Sequence, residues 1–119
     1  MALKIYEYNR CGTCRNALKY LNAKEVSFKA IAIRDTPPSL DELKFVLEKT
    51  GELKKLLNTS GQDYRALNMK EKVKELSTED ILDMLTKNGN LIKRPFVIDQ
   101  EADLATTGFK AETWDVIFN

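Results

Sequence analysis

The chain has 119 residues, 43% of them hydrophobic, with 19 basic and 18 acidic side chains, a formal net charge of +1 and no histidine. That length fits one domain with a real core, and the ordinary apolar fraction excludes general disorder. The balanced charge gives no electrostatic footprint for nucleic acid, and no apolar run nears the roughly 18 residues that cross a bilayer.

Met1-Ala2-Leu3-Lys4-Ile5 enters a strand-like pattern directly, without signal-peptide anatomy. The expectation is a cytoplasmic, monomeric protein that touches neither membrane nor nucleic acid. Leu3 to Tyr8 reads as the first strand, with Ile5, Tyr6 and Tyr8 supplying β-prone bulk. Cys11-Gly12-Thr13-Cys14 follows and holds the only two cysteines. Cys14, Ala17, Leu18 and Leu21 then recur at helical spacing, with Arg15, Lys19 and Asn22 on the opposite face. Phe28 to Ile33 is a second strand, so a βαβ unit with parallel strands and a right-handed crossover is expected.

Pro37-Pro38 breaks that unit, and Ser39 with Glu42 forms a capping-box signature before the stripe Leu40, Leu43, Val46 and Leu47. Gly51 closes this helix as a C-cap. Leu53, Leu56 and Leu57 suggest a short helix, and Asn58-Thr59-Ser60-Gly61 a turn. Short helical pieces then place Tyr64, Leu67, Met69 and Val73 toward a core, and the charged run Lys70 to Glu75 reads as a solvated face. Ser77 and Asp80 cap a helix carrying Ile81, Leu82 and Leu85, which Asn88-Gly89-Asn90 stops. Pro95 to Ile98 and Ala102 to Thr106 read as an antiparallel hairpin, proline being tolerated where a strand opens. A last helix follows Gly108 and carries Ala111, Trp114, Ile117 and Phe118 on one face. Tyr6, Tyr8, Phe28, Phe45, Phe96, Phe109, Trp114 and Phe118 read as core or near-core aromatics.

The chemistry concentrates at the cysteine turn. A thiolate is the attacking form of cysteine, and Cys11 stands before the first helical turn, where free backbone N–H groups favour negative charge. Arg10 and Arg15 add positive charge nearby. Cys14 points with Leu18 and Leu21 toward the core. This pattern makes Cys11 an attacking thiol and Cys14 a resolving thiol. Two other readings exist. A zinc site normally needs four Cys or His ligands, and the chain offers two; or the pair is simply two small buried hydrophobes.

Four segments stand in order: Tyr8-Asn9-Arg10-Cys11-Gly12-Thr13-Cys14-Arg15-Asn16-Ala17, Thr36-Pro37-Pro38-Ser39, Leu57-Asn58-Thr59-Ser60-Gly61 with Tyr64-Arg65, and Leu91-Ile92-Lys93-Arg94-Pro95. With them the chain resembles, over essentially its whole length, the arsenate reductase-like (ArsC/Spx/YffB) branch of the thioredoxin superfamily. The resemblance implies an α/β, thioredoxin-like fold: a four-stranded mixed sheet with an all-helical insertion between strands two and three. Residues 1–119 would be one domain, with 1–36 and 91–119 as the thioredoxin-like core and 37–90 as the insertion.

The resemblance also implies roles. Cys11 matches the nucleophile, Arg94 the arginine beside it, and Pro95 a proline held cis. Apart from the resemblance, Thr13, Arg15 and Pro95, with Arg94, are the residues expected to line a groove for a substrate thiol such as glutathione. Arsenate reductases of the family surround the oxyanion with three arginines. Here only Arg94 matches: Asn58 takes the second place, the third falls near Gly108, and Glu7 stands nearest the histidine those enzymes carry. Arsenate is therefore not the expected substrate. The expected activity is thiol–disulfide exchange or glutathione-dependent reduction of a small thiol or protein disulfide. No cofactor or metal would be bound, and glutathione or a thioredoxin/glutaredoxin system would donate electrons. The alternative is a redox-sensing regulator similar to Spx that binds the RNA polymerase α subunit, with Gly51 near the position such regulators use.

Overall fold

The computed structural model describes residues 3–118; Met1 and Ala2, where the N-terminal reading began, and Asn119 lie outside them. Strands β1 (Lys4–Glu7), β2 (Lys29–Ala32), β3 (Phe96–Asp99) and β4 (Leu104–Thr107) form one sheet in the order β2-β1-β3-β4. β1 and β2 are parallel, with Lys4 opposite Lys29 and Glu7 opposite Ala32. Helix α1 (Gly12–Ala23) makes the crossover between them, as a βαβ unit requires. The β1–β3 and β3–β4 pairs are antiparallel. This is the mixed, thioredoxin-like sheet that the resemblance implied.

Between β2 and β3 run α2 (Leu40–Thr50), a 3₁₀ turn (Leu53–Leu56), α3 (Gln62–Ala66), α4 (Met69–Glu75) and α5 (Thr78–Lys87). The chain closes its described part with α6 (Ala111–Ile117). Alternation along the strands sends side chains into two cores. Ile5 and Val97, paired across β1 and β3, meet Ala17, Leu21 and Trp114 from α1 and α6. Tyr6, Phe96 and Ile98 face the other way, onto Leu43, Val46, Leu56, Met69, Ile81 and Leu85 of the inserted helices. The insertion thus roofs one face of the sheet.

Its helices begin and end where their side chains demand. Ser39 Oγ accepts the Glu42 N–H, Glu42 returns the bond to the Ser39 N–H, and Gly51 ends α2 at φ 82°. Glu42 does more than cap. Buried, it also accepts hydrogen bonds from the Tyr6 hydroxyl at 2.7 Å and the Lys4 ammonium at 3.1 Å, which ties α2 to β1. Burial works against its charge, but the bonds from Tyr6, Ser39 and Lys4 outweigh it and hold the carboxyl below its ordinary range. Ser77 caps α5 through the Asp80 N–H at 3.1 Å. After α5 the chain turns through Gly89, which is packed so closely that an added Cβ would lie 2.0 Å from the Ile33 carbonyl oxygen.

Some expectations shift. Leu40 and Leu67 are each 37% exposed, and Ala111 is exposed as well. All three lie at or beside helix ends, past the surface that the neighbouring layer covers. β4 begins two residues later than its pattern indicated. The Asp99 carboxylate accepts the Ala102 N–H at 3.1 Å, and Asp103 takes a left-handed φ of 56°, so the turn consumes Gln100 to Asp103. Among the described residues no helix is long and apolar enough to cross a membrane.

Candidate functional site

The Cys11 N–H donates to the Tyr8 carbonyl at 2.9 Å, and the Cys11 carbonyl accepts the Arg15 N–H at 3.1 Å. Cys11 is therefore the N-cap of α1, in extended conformation, with its thiol half-exposed at the head of the helix. Three residues on, Cys14 falls on the face that α1 buries with Ala17 and Leu21, and it is fully buried. Both thiols are free. Among the described residues no group of three or more Cys, His, Asp or Glu side chains is placed to hold a metal ion.

Position separates their acidities. Burial pushes the Cys14 thiol up to about 12; the Tyr8 backbone N–H and the Arg94 charge pull the other way, while the neighbouring Cys11 adds to the rise. Burial also works against the Cys11 thiolate, but it is outweighed. The Cys14 backbone N–H, the Cys14 thiol, the Arg94 guanidinium and the Thr13 N–H all favour its negative form, and the net shift is downward. The cation in this set comes from the far end of the chain. Arg10 is absent from it, and Arg15 turns its guanidinium back to the Asn9 carbonyl at 3.1 Å.

Arg94, whose charge acts on Cys11, stands at the entry to β3, and its peptide bond to Pro95 is cis. Its guanidinium lies over the Tyr8 ring, 5.0 Å from the centroid. The guanidinium of Arg34 lies 4.9 Å from the same centroid and donates to the Tyr8 hydroxyl at 2.9 Å. Tyr8, the near-core aromatic that the sequence indicated, packs against the core under the helical roof and also holds Arg94 by its ring and Cys11 by its carbonyl. Replacing Tyr8 with leucine should move the pH midpoint of Cys11 alkylation upward, in the same direction as Arg94→Ala, because the guanidinium loses its platform. Tyr8→Phe keeps the ring and should shift it less. Iodoacetamide alkylation rates measured against pH check the order.

Cys11, Thr13 and Arg94 open onto a groove of about 670 Å³. Cys14 and Pro95 are buried, outside its lining, and Arg15 does not line it either. The structure therefore brings together Cys11, Cys14, Thr13 and Arg94, with Pro95 behind them and Arg15 turned aside. It adds Lys55, Lys93 and Lys110, three groove-lining cations that sequence reasoning missed. Asn58, at the second arginine position, also lines the groove and donates through its amide to the Asn90 carbonyl at 3.3 Å. Near Gly108, where a third arginine was sought, the Lys93 stem passes so close that a Cβ on Gly108 would meet its Cε at 2.9 Å. Besides Arg94, the positive charge along the groove thus comes from lysines. No spacing connects these three lysines; only Lys93 stood next to a residue expected to act in the site, Arg94.

Comparison with known proteins places this geometry among relatives. The chain is 45% identical over 116 residues to YusI of Bacillus subtilis, an uncharacterized protein, covering 97% of each. It is 31% identical over 100 residues to the global transcriptional regulator Spx of Enterococcus faecalis, covering 83% of this chain and 74% of the regulator. A Streptococcus mutans crystal structure described as a possible arsenate reductase superposes with a TM-score of 0.85 at 38% identity, covering 95% of this chain and 97% of that one. The ArsC family model matches residues 6–117, from inside β1 to the end of α6 and across every site residue named above. With the cysteine at the head of α1 and the arginine before the cis proline both inside that match, the chain belongs to the ArsC family.

Proposed function

We propose that the protein is a thiol–disulfide oxidoreductase that attacks with Cys11 and resolves with Cys14. The observation carrying this reading is the split between two thiols three residues apart: one half-exposed, with its acidity raised, the other buried and held protonated. The Cys11 thiolate attacks one sulfur of a substrate disulfide, forming a mixed disulfide and expelling the other sulfur as a thiolate that takes up a proton. Cys14 then gives up its proton and attacks the Cys11 sulfur. The Cys11–Cys14 disulfide forms, the second substrate thiol leaves, and two electrons have passed from the protein to the substrate. Two external thiols, from two glutathione molecules or from the dithiol of a thioredoxin/glutaredoxin system, return the pair to the dithiol and are themselves joined as a disulfide.

Arg94 supports the thiolate and leaving-group charge in this reading. Arsenate reduction is not proposed. Arginine recognises a tetrahedral oxyanion through paired planar donors, whereas lysines spread around a large groove act as mobile point charges. Disulfide reduction followed with the wild type and with Cys11→Ser tests the proposal: the variant should fall to the uncatalysed background, and retained turnover would end it.

The similarity to Spx favours a second reading, in which the same pair switches a contact with the RNA polymerase α subunit. Gly51, left open at the end of α2, is the position to examine. Pull-down of the α subunit by oxidised and reduced protein separates the two, since an oxidoreductase needs no such contact in either state.

A further inference from the structure

Five lysines elsewhere on the molecule hold a carboxylate: Lys4 with Glu42, Lys24 with Asp115, Lys44 with Glu79, Lys49 with Asp103 and Lys87 with Asp83. The groove beside Cys11 is different. Lys55, Lys93, Arg94 and Lys110 line it, no aspartate or glutamate does, and none of the four is in an ion pair among the described residues. A chain of net charge +1 has thus gathered four unpaired cations around one thiol.

These cations sit on backbone that is tied together. The Thr107 hydroxyl of β4 donates to the Lys55 carbonyl at 2.6 Å, and the Lys93 N–H donates to the Leu56 carbonyl at 2.9 Å. The Gly108 N–H donates to the Pro95 carbonyl at 2.9 Å, and the missing side chain of Gly108 leaves the space that the Lys93 stem fills. The backbone that carries Lys55 and Lys93 is therefore fixed beside the groove, and Lys110 follows two residues after Gly108. A volume of about 670 Å³ is that of a small-molecule site and far exceeds a single oxyanion.

We infer that the groove selects small anionic disulfides, binding carboxylates on either side of the sulfur–sulfur bond through Lys55, Lys93 and Lys110 while Cys11 attacks. The inference rests on the exchange reading of Cys11 and adds the substrate class. Exchange follows the balance given above: one sulfur stays on Cys11, and the other leaves as a carboxylate-bearing thiolate that is then protonated. Uniform positive charge raises the local concentration of such a substrate and repels a cationic one. Of the charged and titratable groups, Cys14 from α1 and Arg94 from the approach to β3 act on Cys11 itself, while Lys93 beside Arg94, Lys55 from the 3₁₀ turn and Lys110 from the start of α6 line the groove onto which it opens.

The test uses three disulfides of similar size: dithiodipropionate, a dianion; hydroxyethyl disulfide, neutral; and cystamine, a dication. The rate of Cys11 attack is measured at neutral pH, and each rate is divided by that of mercaptoethanol with the same disulfide to remove intrinsic reactivity. At about 0.01 M salt the normalised rate for the dianion should exceed that for the dication by about tenfold or more, and the preference should largely vanish near 0.5 M salt. The combined variant Lys55→Gln, Lys93→Gln, Lys110→Gln should lose most of the preference, whereas Lys44→Gln, outside the groove, should keep it. Equal normalised rates in the wild type at low salt, or a preference surviving in the combined variant, overturn the selectivity alone. No reaction of Cys11 with any of the three overturns the exchange reading and the selectivity with it.

Discussion

Replacing Cys14 with serine is expected to stop the reaction halfway, with one equivalent of substrate thiol released and the other half bound to Cys11. The first attack needs only the Cys11 thiolate, whose other supports, the backbone N–H groups of Cys14 and Thr13 and the Arg94 charge, survive the change. A serine hydroxyl can still donate to the thiolate, so the first step should stay within about tenfold of the wild type, the loss of one charge-assisted hydrogen bond being worth at most 1.5–3 kcal/mol and here largely replaced. Mass spectrometry should show the mixed disulfide accumulating on Cys11, and continued release of the second thiol would reverse the assignment. The pH dependence carries a sign for each step. A lowered Cys11 value means that the first step rises with pH through a midpoint below that of an ordinary thiol and then levels off. Cys14, pushed up to about 12, stays protonated at neutral pH and does not compete for the first attack. Once Cys11 is in a disulfide, its negative charge no longer opposes ionisation of Cys14. The second step should therefore become available at a lower pH than that value implies, yet still climb with pH after the first has levelled.

The largest stability loss is expected at Trp114. It is 1% exposed and meets the rings of Phe109 at 4.8 Å, Phe118 at 5.3 Å and Tyr20 at 5.8 Å. Truncation to alanine removes the largest side chain of the core beneath the sheet and should cost about 3–5 kcal/mol. A domain of ordinary stability has about 5–15 kcal/mol in all, so the melting temperature should fall by roughly 10–20 °C. Trp114→Phe, which keeps an aromatic ring against Phe109, should lose less than half as much. Thermal unfolding followed by far-ultraviolet circular dichroism checks both. Equal losses in the two variants would mean that the indole contributes by something other than packed area.

Legibility differed by the range of the interaction involved. The capping box of α2, the Ser77 cap of α5, the glycine cap of α2 and the division of labour between Cys11 and Cys14 rest on residues within a few positions of each other, and local rules find them. Arg94 was reachable only through resemblance, because more than eighty residues separate it from Cys11. Lys55, Lys93 and Lys110 carry no periodic signal; they meet because Thr107 holds Lys55 and Leu56 holds Lys93. Arg15 shows the opposite case. Helical spacing places it in solvent beside the thiol, but its guanidinium finds the Asn9 carbonyl instead. The late start of β4 follows from a left-handed aspartate, a conformation non-glycine residues seldom adopt.

The seat of Gly89 against Ile33 sets a rule for how this fold can vary. Because an added carbon there would lie 2.0 Å from the Ile33 carbonyl oxygen, the helical roof re-enters the sheet at a joint with no slack. Sliding the chain by one residue would bring Asn88 or Asn90 into that seat, and neither can take it without parting the two backbones. Length changes are thus better absorbed at the exposed link between α4 and α5 than beside residue 89. The joint works as a fixed phase mark: whatever is inserted upstream, the chain must arrive there in step for Arg94 to come out beside Cys11.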